Sequence, residues 1–170
     1  MRNTSINVKE NAVTFSNKAK FTAALLVGAA VFNVSTAAFG TQDKPKRFAE
    51  SQYRHDNMEH AKYSLANIVK ILKGEAAHED HLPKLAAIMA SSAAMAKSTF
   101  EKDTRSMTGH TEAKDAVWEN WTDFAAKMDK YAADTAALAD VAQSGDMASF
   151  GAAFQKATSN CKACHDKYKD

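Results

Sequence analysis

Two cysteines and one histidine near the end of the chain are the residues whose types and spacing point most directly to chemistry. They fall in the run Cys161-Lys162-Ala163-Cys164-His165, and the chain has no other cysteine. On a helix, thiols three residues apart lie about one turn apart on one face, so each can form a thioether to a vinyl group of a haem. The imidazole of His165 can then reach the iron from the same helix. The pattern predicts one covalent haem c on Cys161 and Cys164, with His165 as the proximal ligand of the iron.

Three other uses of a cysteine pair fit this sequence less well. A structural zinc site needs about four Cys or His ligands, and the other histidines form no second paired cluster. These histidines are His55, His60, His78, His81 and His110. A thioredoxin-like redox pair would stand at the start of a helix after a strand, whereas this pair is near the end of the last helical segment. A plain disulfide suits an oxidising compartment but gives the following histidine no role.

The elements that must position this motif are four amphipathic segments. Apolar residues recur at helical spacing over 47–73, 81–100, 112–143 and from 147 to the haem motif. The segment 101–111 mixes charged residues, Ser, Thr and Gly without a period, which is typical of a loop. We therefore expect an all-α fold, an antiparallel four-helix bundle with one covalently bound haem.

The last two segments carry the clearest apolar stripes. In the third segment the stripe consists of Val117, Trp121, Phe124, Met128, Tyr131, Thr135, Leu138 and Ala142. In the fourth it consists of Met147, Phe150, Phe154, Ala157, Cys161 and Cys164, after an expected N-cap at Asp146. The first two segments have matching inward sides, which include Met58, Ala61, Leu65, Ile68 and Leu72 and then Leu82, Leu85, Met89, Met95 and Ala96. The two cysteines therefore belong to a stripe that faces the core.

The first 40 residues differ in character from the rest. Lys18 and Lys20 precede an apolar run that ends in small residues, which is the pattern of a secretory signal peptide. The apolar core Phe21–Phe32 is shorter than the roughly twenty residues of a membrane span, so a membrane anchor fits less well. We predict a cleaved signal peptide at 1–40, a bundle domain at 41–170 and a periplasmic location. Cleavage sites after residues 37, 38 and 40 all remain open.

The charge of the chain belongs largely to this export segment. Residues 1–40 hold four basic side chains and one acidic one, whereas the formal net charge of the whole chain is only +2. The remaining domain is therefore near neutral. It lacks the basic surface that nucleic-acid binding requires, so no nucleic-acid partner is expected.

The C-terminal segment resembles that of the class II c-type cytochromes, the cytochrome c prime family. The resemblance is carried by the run Gly145–Phe154 and by the run Ser159–Tyr168 with the haem motif inside it. The family's spacing is also matched by Tyr53, Arg54, Met58, Lys73, Gly74, Glu75, Trp118 and Phe124. Together these residues extend the resemblance over Phe48–Tyr168.

The resemblance implies roles for two residues of the first helix. Arg54 would pair with a haem propionate, and Met58, one turn later on the same face, would be the distal iron ligand or the distal pocket wall. Both coordination states occur in the family, and the identity of Met58 is compatible with either. The sequence departs from the family at Lys62, where Gly is frequent, and at Lys169, where Arg is usual.

The resemblance also implies an activity. We expect single-electron transfer with periplasmic redox partner proteins and no enzymatic turnover. The alternative is a five-coordinate haem that binds nitric oxide or carbon monoxide for scavenging, transport or sensing. A homodimer formed through the first two helices is a further possibility in the five-coordinate branch. Trp118 and Phe124 line the haem pocket or fill the core, and the sequence does not choose between these roles.

The remaining histidines are expected to have ordinary roles. His78 and His81, around the start of the second helix, are interpreted as solvated residues rather than as a metal site. His60 lies two residues from Met58 and faces away from it, so it is a poor distal ligand. His55, three residues before Met58, remains a competing ligand.

Overall fold

A computed structural model describes residues 46–170, and the predicted signal peptide at 1–40 lies outside the described residues. Five helices account for most of the described backbone. They are α1 (Ala49–Leu72), α2 (Leu82–Ala96), α3 (Ala116–Glu119), α4 (Trp121–Ser144) and α5 (Met147–Tyr168). Two 3₁₀ turns, Glu79–His81 and Lys97–Phe100, flank α2. The described residues contain no strand beyond two isolated β-bridges.

The four long helices form the bundle that the sequence predicts. α1 packs against α2, α2 against α4, and α4 against α5, so neighbours in sequence are also neighbours in space, as expected for helices joined by short connections. α3 is a single turn that leads into α4. Among the described residues, no helix has both the length and the apolar character needed to cross a bilayer.

Local sequence signals fix the connection that leads into the helix of the haem motif. α4 ends at Ser144 and is capped by Gly145, whose φ of 75° lies in the left-handed region that favours glycine. α5 begins after Asp146, whose side chain accepts a hydrogen bond from the backbone N–H of Ser149 at 3.1 Å. The predicted N-cap is therefore confirmed, and its position sets the register of the residues that follow.

The predicted third helix, 112–143, is wrong in its first part. Residues 112–115 are not helical, and the backbone breaks again at Asn120 before α4 begins. Tertiary pairing explains the difference: the N–H of Lys114 donates to the carbonyl of Tyr168, and the N–H of Asp170 donates to the carbonyl of Glu112. Residues at 112–114 thus bond to the C-terminus of the chain instead of forming a helical turn.

The bundle has two ends with different interiors. We call the end at the α1–α2 and α4–α5 connections the closed end; its buried side chains include Ile68, Leu82, Leu138 and Phe150. We call the opposite end the cavity end; its buried side chains are Ala96, Val117, Phe124, Met128 and Tyr168. The predicted α4 stripe is buried apart from half-buried Trp121.

Three residues predicted to face inward are exposed instead. They are Leu72 (44%), Met95 (44%) and Met147 (49%). Each lies in the first or last turn of its helix, where neighbouring helices cover less of the surface. Helical spacing assigns a residue to a face of its helix but does not show how far the neighbouring helix extends.

Candidate haem site

The two cysteines and the histidine of the motif lie on α5 along one cavity. Cys161 and Cys164 are free, half-buried thiols, and burial raises the pKa of each. His165 lies at the edge of the same cavity with much of its side chain exposed. The part of its imidazole that is shielded from solvent is enough to lower its pKa. Because one helix carries all three, a group bonded to both sulfurs is held next to the imidazole.

The cavity has a volume of about 360 Å³ and is lined by α1 on one side and α5 on the other. Apolar side chains of α1, α2 and α4 form most of its wall. The apolar lining includes Met58, Ala61, Leu65, Met89, Phe124 and Met128. Such a wall suits a large, flat, mostly apolar ligand that a few polar groups orient.

Two carboxylates of α4 anchor α5 on either side of the haem motif. Asp134, only 6% exposed, accepts hydrogen bonds from Asn160 at 2.8 Å and from Lys130, and lies 3.2 Å from Lys156. Asp123 accepts from the hydroxyl of Tyr168 and from Lys167. Asp134 therefore holds α5 just before Cys161, and Asp123 holds it just after His165.

The ionisation of both carboxylates follows from these partners. Burial acts to raise the pKa of Asp134, but hydrogen bonds from Lys130, Asn160 and Lys156 outweigh it and bring the value to about 2. Hydrogen bonds from Lys127, Tyr168 and Lys167 hold the pKa of Asp123 far below its ordinary range. Both anchors are therefore charged at neutral pH.

Arg54 lies inside a cage of aromatic rings at the cavity end. Its guanidinium carbon is 4.9 Å from the ring centre of Phe100, 5.6 Å from that of Phe48 and 5.8 Å from that of Trp118. The Trp118 indole N–H donates to the carbonyl of Phe100 at 2.9 Å, which fixes one wall of the cage. The aromatic faces attract the cation and hold its long side chain in one position.

The hydrogen bonds of Arg54 leave its charge without an anionic partner. Its N–H groups donate to the backbone carbonyl of Thr99 at 3.4 Å and to the hydroxyl of Thr104 at 3.2 Å. Arg54 is only 5% exposed, and burial lowers its pKa. Within residues 46–170 no carboxylate lies at ion-pair distance from it. A buried cation of this kind is costly unless an anion approaches it, and Arg54 lines the cavity.

One rim of the cavity is a clasp formed by residues 109–114 between the start of α1 and the end of α5. The N–H of His110 donates to the carbonyl of Lys46 at 3.0 Å, and the Glu112 carboxylate lies 3.2 Å from Arg47 and 3.6 Å from Lys169. Gly109 permits this approach: its φ is 134°, and a Cβ there would stand 2.9 Å from the Lys46 carbonyl oxygen. The clasp thus joins both ends of the described chain beside the cavity.

These residues fit the haem predicted from the motif. The cavity presents two thiols one turn apart, an adjacent imidazole, an apolar wall and a buried guanidinium without a counter-ion. Cys161, Cys164 and His165 are the residues that would hold the group and its iron. The unpaired charge of Arg54 is suited to a carboxylate of the ligand, as a haem propionate would provide.

The structure brings the predicted site residues to one place. Met58 is half-buried and lines the cavity, as do Arg54 and the three motif residues. His55 also lines it, whereas His60 is exposed and is not among its lining residues in the described part of the chain. Phe124 lines the cavity and is buried, and Trp118 forms part of the Arg54 cage.

Sequence reasoning missed the two anchors and the clasp. Asp123 and Asp134 are eleven residues apart, close to three full helical turns, so their shared face was readable from the sequence. Their partners on α5 were not, because pairing across two helices depends on register. No pattern near Glu112 signals the clasp, because its partners come from opposite ends of the domain.

Comparison with known proteins gives a consistent result. The family described as Cytochrome C' matches residues 49–169. Cytochrome c' of Rubrivivax gelatinosus is 44% identical over 63 residues, which cover 36% of this chain and 49% of that protein. Cytochrome c' of Rhodospirillum rubrum is 34% identical over 90 residues, which cover 53% of this chain and 58% of that protein. These matches therefore span about half of each curated relative.

The fold is shared along almost the full length of a solved structure. Cytochrome c prime from Shewanella frigidimarina has 28% sequence identity and a TM-score of 0.66, with 73% of this chain and 99% of that chain covered. The covered share of this chain is close to the length of the described bundle.

Proposed function

The chain belongs to the cytochrome c' family, and we propose from this membership that it transfers single electrons to and from redox proteins of the periplasm. Proteins of the family carry one covalently attached haem c with its iron, which supplies a one-electron couple when bound. The observation that carries the proposal is the cavity in which Cys161, Cys164 and His165 of α5 stand across from Met58 of α1.

The residues around the motif support a fixed site rather than a mobile one. Cys161 and Cys164 would hold the group by thioether bonds, and His165 would be the proximal ligand. Asp134 and Asp123 fix α5 on both sides of them. A site that moves little on a change of charge suits rapid electron exchange, because less of the surrounding protein must rearrange.

Arg54 is the proposed partner of a haem propionate. Its buried, caged position supports this role, because the side chain needs no rearrangement to meet an anion at the cavity wall. Replacement by Lys keeps the charge but removes the planar fork. For Arg54→Gln we expect a lower reduction potential with haem still attached, because loss of the cation favours ferric iron, and for Arg54→Lys a smaller change. A potential that is equal in all three proteins would remove Arg54 from the site.

Attachment is tested first. Holoprotein denatured in acid and extracted with organic solvent should keep its haem, and the Cys161→Ser, Cys164→Ser double variant should release it. The single variants should each keep one thioether, which a shifted haemochrome band would report. Loss of haem from the unaltered protein on extraction would contradict the assignment of both cysteines.

Met58 separates the two candidate functions. A thioether bound to the iron closes the sixth position and favours electron transfer, whereas an unbound Met58 is only a pocket wall. The optical spectrum in both oxidation states reports the spin state, and a weak near-infrared band reports sulfur bound to ferric iron. For the electron-transfer role we expect low-spin spectra with this band.

A matched pair of variants assigns that band. Met58→Leu should abolish it and produce a high-spin spectrum, whereas Met128→Leu, which changes another cavity methionine, should leave it intact. If both variants and the unaltered protein share one high-spin spectrum, Met58 is not a ligand and the second candidate moves ahead.

The second candidate is binding of nitric oxide or carbon monoxide. It is favoured by the apolar wall beside Met58. A mutant of a cytochrome c prime from Alcaligenes xylosoxidans with the same fold was solved as a nitric oxide complex, at 22% identity and a TM-score of 0.64. Rapid carbon monoxide uptake by the ferrous protein in stopped-flow experiments would support it. Slow uptake limited by loss of the Met58 bond would support electron transfer.

Location and assembly complete the proposal. We expect cleavage of residues 1–40 on export and no enzymatic turnover, and N-terminal sequencing of the periplasmic protein tests the first point.

A homodimer through α1 and α2 is supported by exposed apolar side chains on these helices, Tyr53, Tyr63, Ile88 and Met95. Sedimentation of the holoprotein, compared with an Ile88→Lys variant, tests this contact: the variant should dissociate, and equal masses would argue against it.

A further inference from the structure

The α1–α2 connection, at the closed end, carries a second group of side chains that can bind a metal, and none of them lines the cavity. The group consists of His78, Asp80 and His81, next to Leu82 of the closed end. Leu72, the last residue of α1, comes fourteen positions after Met58, which is about 21 Å along the helix at 1.5 Å per residue. The group is therefore independent of the haem motif.

A 3₁₀ turn brings the two histidines together. His78 precedes the turn Glu79–His81, and the N–H of His81 donates to the carbonyl of His78 at 2.9 Å. Since this helix has three residues per turn, side chains at i and i+3 stand directly above one another. The two imidazole rings accordingly lie parallel, 5.0 Å between centres and 9° between planes.

The third group is the carboxylate of Asp80, which precedes His81 in the sequence. Its Oδ2 lies 3.7 Å from Nε2 of His81. One possible ligand atom from each of the three residues lies within 4.8 Å of the other two. Ligands bound to one tetrahedral ion at about 2.1 Å stand roughly 3.4 Å apart. Side-chain rotations that shorten the separations by up to about 1.4 Å therefore bring the three atoms to that spacing.

The surroundings leave these side chains free to rotate. All three residues are exposed, and within residues 46–170 neither imidazole forms a hydrogen bond with another residue. Glu79, also exposed, adds a negative charge to the same turn. Rotation onto an ion therefore breaks no hydrogen bond of either imidazole and gives up only the stacking of the two rings. The local negative charge attracts a cation.

We propose that His78, Asp80 and His81 form a surface site for a divalent transition-metal ion of the Zn²⁺ or Cu²⁺ class. Two imidazoles and one carboxylate are the donors that these ions prefer, whereas Mg²⁺ and Ca²⁺ favour oxygen alone. Three protein ligands leave a fourth position for water. The ion holds together the 3₁₀ turn that leads directly into α2 and stabilises the closed end.

Calorimetric titration of the mature holoprotein with Zn²⁺ tests the site. Bound haem occupies the cysteines and His165, so they do not compete for zinc. We expect one ion per chain with affinity in the micromolar range. Removal of one ligand, in His78→Ala or His81→Ala, should weaken binding by at least about tenfold, or about 1.4 kcal/mol. Asp80→Asn should weaken it less.

A matched control removes an exposed histidine elsewhere. His60→Ala lies on α1 outside the group and should bind Zn²⁺ like the unaltered protein. In Cu²⁺ titrations, electron paramagnetic resonance should show two coordinating nitrogens, and one or none in the single variants. Zn²⁺ should raise the melting temperature of the unaltered protein and of His60→Ala but not of the His78→Ala, His81→Ala double variant.

Two results would overturn the site. One is undiminished Zn²⁺ binding by the double variant, and the other is the absence of binding by the unaltered holoprotein. All the substituted side chains are exposed, so an unchanged haem spectrum shows that each variant is folded. The outcome does not depend on the electron-transfer or gas-binding role.

Discussion

The closed end of the bundle is held by apolar packing, whereas the cavity end is held by charges, aromatic rings and hydrogen bonds. At the closed end, Phe150, Ile68 and Leu138 are fully buried among aliphatic neighbours. At the cavity end, Asp134, Asp123 and Arg54 make the contacts that fix α5 and the start of α1. A helix that borders a cavity lacks apolar neighbours on that side, so polar anchors must replace part of the missing packing.

The difference suggests a division of roles. The closed end supplies much of the stability of the protein without its ligand, because buried apolar area is the main favourable contribution to folding. The anchors at the cavity end contribute less free energy, but they determine where Cys161, Cys164 and His165 stand. Substitutions at the closed end should therefore cost more stability. Substitutions at the cavity end should act mainly on the positions of the three motif residues.

The largest effect is expected at the closed end. Phe150→Ala removes a fully buried ring that stacks on Phe154, and such a change costs about 3–5 kcal/mol. Denaturant unfolding of the holoprotein measures the loss. The haem spectrum of the folded variant should stay unchanged, and the control Met147→Ala, at an exposed position of the same helix, should be nearly neutral. A spectral change in Phe150→Ala would contradict the separation of the two ends.

The next largest effect is expected at the buried anchor. Asp134→Asn keeps the size of the side chain but removes the charge that faces Lys130 and Lys156. Loss of buried, charge-assisted hydrogen bonds costs about 1–3 kcal/mol. Asp129→Asn is the matched control, because Asp129 forms an exposed pair with Lys97, and exposed pairs contribute at most about 1 kcal/mol. Equal losses in the two variants would show that Asp134 is not an anchor.

The pH dependence of stability sharpens the same comparison. The pKa of Asp134 is about 2 in the folded chain, below the ordinary value of about 3.9. The folded state therefore binds this proton less readily than the unfolded state, so the stabilisation is complete above about pH 4 and is lost as the pH falls towards 2. Acid titration followed by circular dichroism should show a smaller loss over this range in Asp134→Asn than in Asp129→Asn.

A smaller effect is expected at the clasp glycine. Gly109→Ala places a Cβ against the Lys46 carbonyl at a φ of 134°, and such strain costs about 1–3 kcal/mol if it is retained. The clasp can relieve part of that strain by opening, so hydrogen exchange should accelerate at the His110 amide. Gly74→Ala is the control: its φ is also positive, but nothing lies within 4 Å of the added Cβ. Similar exchange at His110 in both variants would count against the clasp.

The smallest effect is expected at the clasp carboxylate. Glu112→Gln removes the charge between Arg47 and Lys169, and because Glu112 is partly exposed the cost should be below about 1 kcal/mol. High salt should reduce the difference from the unaltered protein. A loss that is large and independent of salt would mean that Glu112 has a structural role beyond this pair.

The sequence predicted the helices best where periodicity and local caps agreed. The α4 stripe from Phe124 to Ala142 and the Asp146 cap were readable because both depend on residues within a few positions of each other. The start of the third helix was not, since the backbone of Lys114 bonds to Tyr168 across the chain. Leu72 and Met95 were misplaced because their exposure depends on where a neighbouring helix ends.

The candidate site shows the same limit. Cysteine and histidine types at fixed spacing on one helix determine a chemistry by themselves, so Cys161, Cys164 and His165 were predicted from the sequence. The resemblance to a known family added Arg54 and Met58 as site residues, and these assignments remain predictions. The sequence assigned no partner to Asp134, whose hydrogen bond with Asn160 spans 26 residues.

The sequence by itself determined the long helices, the haem motif and the helix that carries it, because each depends on residues within one or two helical turns. Only the tertiary structure decided that Arg54 lies in an aromatic cage without an anion, that a clasp joins both ends of the described chain, and that His78 meets His81 beside Asp80. These arrangements depend on how helices and turns pack together, and packing depends on shape and register across the whole domain rather than on local pattern.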